Sequence, residues 1–134
     1  MGAWGSGVFE NDTACDFAAD VAEGDNFAAL EQTLDRVPAT KGGYLEAPDA
    51  AEGLAAADIV ARLTGSLGVQ SAYTATVDAW VGRMQLAPSQ ELVEKARRAI
   101  NRILTEPSEL LELWQDSKEF ETWRRAVDEV SQRL

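Results

Sequence analysis

At 134 residues with 46% hydrophobic side chains, the chain fits one domain spanning 1–134 with enough apolar surface for a packed core. Cys15 is the single cysteine, which excludes an intrachain disulfide, and no run nears the ~18 apolar residues of a membrane helix. Twelve Lys and Arg against 23 Asp and Glu give a net charge of −11, which opposes nucleic acid and anionic membrane and makes a basic protein surface or a cation the more natural partner, though solubility alone explains the surplus and weighs more. The surplus is uneven: residues 1–66 hold 12 acidic and 3 basic side chains, residues 67–134 hold 11 and 9. With no basic-then-apolar leader in view, a reducing, cytoplasmic setting is the expectation.

Residues 1–11 combine Gly2, Gly5 and Gly7 with Trp4, Val8 and Phe9, which predicts an ordered, extended arm packed on the body. Asp12 is the expected N-cap of a first helix over 13–23, with Ala14, Phe17, Ala18 and Val21 on its buried stripe. A second helix is expected over 26–37, capped by Asp25 and stopped by Pro38. Tyr44 and Leu45 anchor the following connection, and Asp49 with Glu52 resembles a capping box opening a third helix that ends near Leu63. Within it, Asp58 and Arg62 stand one turn apart, the spacing of a surface ion pair. A fourth helix is read over 72–84 and a fifth from Pro88-Ser89, its outer face carrying Glu91/Lys95 and Glu94/Arg98. Pro107-Ser108 restarts the chain as a short helix with Trp114, and Phe120, Trp123, Val127, Val130 and Leu134 mark a last one capped near Asp116. The expected fold is all-α, a compact bundle of about six or seven helices with a glycine and aromatic arm at its start.

The opening MGAWGSGVFENDTACDF resembles a bacterial family of unknown function whose members begin MGAWG-x-G-x-F-x-ND. Tyr44-Leu45-Glu46-Ala47, the LAAADIVARL stretch and SELLELW extend the likeness over nearly the whole chain. The resemblance implies a small bacterial protein and supplies no activity, substrate or catalytic residue.

Two candidate sites follow from the residues. Asn11, Asp12, Asp16 and Asp20 recur at one-turn spacing and offer hard oxygen ligands suited to Mg²⁺ or Ca²⁺, with Asp12 and Asp16 as first candidates. Glu46 or Asp58 would complete that set if the fold brought them near. A solvated helix face with an N-cap explains the same pattern and weighs more. The Gly5-Ser6-Gly7 segment beside Trp4 has the makings of a backbone nest for an anion, against the plainer role of letting the aromatic anchors tuck in. The absence of histidine removes Ser-His-Asp and Cys-His sets and most zinc sites, and Asp16 beside Cys15 disfavours a reactive thiolate. No catalytic residue and no cofactor is assigned. The leading expectation is a protein-binding accessory module, immunity- or antitoxin-like, with a basic protein partner, no nucleic acid and no membrane. The alternative is a divalent-metal-binding or metal-dependent hydrolytic protein using the helix-one carboxylates. Self-association is a third expectation.

Overall fold

A helix that is apolar on every side has to be covered on every side, and α3 (Ala47–Leu63) is such a helix. From Ala50 to Leu63 every residue but Glu52 is buried, and small side chains dominate its surface. In the computed structural model, which describes residues 5–39 and 43–134, six further helices surround it: α1 (Asp12–Glu23), α2 (Ala28–Ala39), α4 (Ala75–Met84), α5 (Gln90–Ile103), α6 (Glu109–Gln115) and α7 (Phe120–Arg133). All six touch α3, α5 and α2 most extensively. Among the described residues there is no strand. Leu45 and Ser108 form an isolated parallel bridge that ties the approach to α3 to the start of α6.

Close approach is what the small residues of α3 permit. A Cβ placed on Gly53 would stand 2.8 Å from a Val37 methyl and 3.2 Å from Ile103 Cδ1, so α2 and α5 both reach the α3 backbone there. Larger groups close the ends. Trp80 is buried, meets Phe27 edge-on at 6.1 Å, and donates its indole N–H to the Gly24 carbonyl at 2.9 Å. Trp114 of α6 stacks on Trp123 of α7 at 6.0 Å and 9°.

Helix starts differ from expectation in instructive ways. Asn11, not Asp12, caps α1: its backbone is extended and its side-chain oxygen accepts from Ala14 N–H at 2.8 Å, leaving Asp12 in the first turn. Asn26 rather than Asp25 accepts from Ala28 N–H, so α2 begins two residues late, and Pro38 lies inside its last turn. The capping box expected at Asp49 is absent, because α3 begins earlier, with Pro48 in its first turn. Its opening Ala47 N–H is instead satisfied by Glu109 Oε1 of α6 at 2.7 Å. The fourth helix starts at Ala75, after a Ser71–Thr74 turn in which Ser71 N–H donates to Thr74 Oγ1 at 2.9 Å. The fifth helix opens at Pro88-Ser89 as expected, with Ser89 as its cap. Glu119, not Asp116, precedes α7; Asp116 closes α6.

Candidate functional site

Charge enters the interior at one cluster. Asp58 and Arg62 pair at 3.0 Å as their spacing predicts, but inside the protein rather than on its surface: the Arg62 side chain is 1% exposed. The reason is cover from distant segments. Arg62 also binds Asp78 of α4 at 2.7 Å and donates to the Val69 carbonyl at 2.7 Å, while the Phe9 ring lies 5.5 Å from its guanidinium carbon. Arg133 completes the set, reaching Asp58 Oδ1 at 2.7 Å, Glu129 at 3.0 Å and the Ser66 carbonyl at 2.8 Å. Burial works against the Arg133 charge, but Asp58 and Glu129 outweigh it and push its pKa up. Every nitrogen of the Arg62 guanidinium has a partner, so the cluster reads as structure. It forms one wall of a cleft of about 440 Å³ bounded by the arm and α7.

The arm closes on itself. Glu10 N–H returns to the Gly7 carbonyl, and the Glu10 carboxylate accepts from Gly7 N–H at 2.9 Å. A Cβ on Gly5 or Gly7 would fall within 2.8 Å of that carboxylate. The segment weighed as an anion nest therefore already turns its Gly7 N–H to an internal carboxylate, that of Glu10, which sequence reasoning passed over. Its signal was an acid three residues after a glycine, too common a pattern to single out. Trp4 lies outside the described residues. Phe9 is buried, as an anchor should be.

On the other side of Gly7 and Val8 lies a second cleft, of about 490 Å³, between the arm, the first half of α3, α6 and Trp123 of α7. Pro48, Ala51, Leu54, Leu110, Leu113 and Trp114 make its lining largely apolar. Leu113 is 39% and neighbouring Tyr44 50% exposed. The polar groups of the lining include Asn11 and Glu109, both engaged at helix starts. The Tyr44 hydroxyl meets Glu112 at 3.1 Å. Desolvation, that hydrogen bond and the charges of Glu112, Glu109 and Glu46 push the Tyr44 pKa up, so these carboxylates gather around Tyr44, and Glu109 among them also lines the cleft.

The remaining candidates do not converge. Asp12 and Asp16 are exposed on α1, Glu46 is exposed before α3, and Asp58 is buried between two arginines. Among the described residues no group of three or more acidic or cysteine side chains is placed to hold a metal ion.

A family model described as "Domain of unknown function (DUF4259)" matches residues 2–126. The chain belongs to the DUF4259 family. No curated protein and no solved structure matches it.

Family membership leaves the chemistry of this DUF4259 domain to its own residues. Cys15 is partly buried and donates to the Phe9 carbonyl at 3.1 Å. Burial first, then Asp12 and Asp16, push its pKa up, so the thiol is poorly suited to nucleophilic work. Glu52 is likewise raised by burial, with Arg36 opposing and Asp49 and Asp20 adding to it. No helix of the described residues is long and apolar enough to cross a membrane. The arrangement offers apolar concavity and negative charge, the properties of a binding surface.

Proposed function

We propose that this DUF4259 domain works by binding a basic partner protein, in the manner of an immunity or antitoxin factor. One observation carries the reading: among the described residues the carboxylates of α1 and those of Glu46, Glu109 and Glu112 enter no ion pair, while most of the cations do. None of Asp12, Asp16, Asp20, Glu23 or Asp25 forms an ion pair among the described residues, and neither do Glu46, Glu109 or Glu112. By contrast Lys95 meets Asp35, Arg97 meets Glu94, Arg124 meets Asp128, and Arg62 and Arg133 share Asp58. A face of uncompensated carboxylates attracts a cationic surface and raises the rate of encounter with it.

A photo-reactive residue at exposed Asp16, compared with one at exposed Arg98 on α5, tests this in the native host. The expected result is one protein of basic isoelectric point, crosslinked from position 16 and not from 98, and lost as salt rises. Crosslinks that are equal at both positions, or that capture only acidic proteins, would overturn the reading.

A further inference from the structure

The stretches that wall the cleft beside Trp114 carry no cation, although Arg102 of α5 donates to the Gly43 and Pro107 carbonyls just before Tyr44 and Ser108. Residues 1–35 contain no Lys or Arg, nor do 47–61 or 103–117, and these stretches supply its arm, α3 and α6 walls. The geometry points to this cleft as the seat for a basic amphipathic segment of the partner, one large apolar side chain inserting against Trp114 and Leu113 while flanking Lys or Arg meet Glu46 and Glu112. This rests on the reading of the domain as a binder of a basic protein.

Three observations select that occupant. The lining is apolar enough for an anchor, and about 490 Å³ is ample for one large side chain. Asn11 and Glu109 are already engaged at Ala14 and Ala47, which leaves few directional groups to orient a small polar ligand. Glu109 stands in the wall, and Glu112 and Glu46 gather with it around Tyr44, so recognition falls to apolar burial and charge, the combination an amphipathic helix in a groove supplies. A second copy of the chain would bring a charge of −11 against a like charge.

Two synthetic peptides with the same leucine face, one with lysines and one with glutamates opposite, probe the full chain by calorimetry. The lysine peptide is expected to bind at least about tenfold more tightly, a margin like-charge repulsion readily supplies. Leu113→Asp should weaken it about tenfold or more, whereas Leu86→Asp, at a more exposed leucine outside the cleft, should not. The double variant Glu46→Gln/Glu112→Gln should flatten the salt dependence and keep a residual apolar affinity. Leu113 is partly exposed, so its replacement leaves the core intact, and circular dichroism checks this. Equal affinity for the two peptides, indifference to Leu113→Asp, or no binding to the chain would overturn the assignment. So would a mass that doubles with concentration and blocks the peptide. A basic partner crosslinked from Asp16 but never from Leu113 would sink this assignment alone and leave the binding reading standing.

Discussion

Asp58 Oδ1 accepts from Arg62 at 3.0 Å and from Arg133 at 2.7 Å, so each arginine compensates a carboxylate that water hardly reaches. Removing one partner of a buried pair costs more than the pair contributes, because the remaining charge is stranded. Arg62→Met strands Asp78, leaves Asp58 to Arg133 alone, and should lower stability by about 3–5 kcal/mol in urea unfolding. Arg133→Met leaves Arg62 in place and should cost less, about 1–3 kcal/mol. Arg62→Lys should not rescue, since an ammonium cannot aim at Asp58, Asp78 and the Val69 carbonyl from one plane. The pairing was legible from spacing; its burial was not, because the cover comes from the 66–69 loop and from Phe9 and Arg133, both remote in sequence. Cys15 gives a pH test of its own. Its folded pKa lies above the ordinary value, so the unfolded chain releases the thiol proton first. Stability should therefore fall as pH rises past about 8.5, and Cys15→Ser should remove that part of the decline. Alkylation of the folded protein near neutral pH should be slower than that of the unfolded chain.

Between elements, the Glu109 contact with Ala47 N–H lets one helix cap another. Glu109→Ala should cost about 1 kcal/mol, the usual worth of an N-cap, with Glu109→Gln nearer wild type because an acceptor oxygen remains. Asn11→Ala should cost a similar ~1 kcal/mol through Ala14. Gly53→Ala sets two effects against each other. Helix propensity favours alanine by about 1 kcal/mol, while a methyl 2.8 Å from Val37 overpacks the crossing at a cost of about 1–3 kcal/mol. A net loss is expected in thermal melts. These elements show where sequence reading succeeds. The stripes of α1, α5 and α7 repeat at helical spacing and were readable, as was the opening of α5 at Ser89, which bonds three residues on to Leu92. The start of α3 was not, since its capping oxygen sits 62 residues away.

For the whole molecule, the surplus of negative charge sets the response to solvent. Exposed pairs such as Arg124–Asp128 contribute at most about 1 kcal/mol each, whereas a net −11 acts on the compact state at every point of the surface. Raising salt from about 10 mM to about 300 mM shortens the screening length severalfold and should raise the melting temperature. A fall would mean that the ion pairs outweigh self-repulsion. Composition made this much visible, and it also made a basic partner the natural expectation. The clefts were invisible to it. The apolar one needs residues 5–13, 47–54, 109–114 and 123 at once, a coincidence only the folded chain creates. The same assembly scatters Asp12, Asp16, Glu46 and Asp58, which a linear reading had no means to foresee.

The charge cluster also carries a timetable. Asp58 and Arg62 leave the ribosome within four residues of each other, but Arg133 follows Asp58 by 75. At roughly 5–20 residues per second, that is a delay of about 4–15 s during translation. Through that interval α3 is exposed with one of its two buried cations missing, and the 66–68 loop lacks the guanidinium that later fastens its carbonyl. Nascent chains stalled before position 133 should be cut readily by protease, and those extended past it should resist. The seventh helix is thus the one that seals a charge carried by the third.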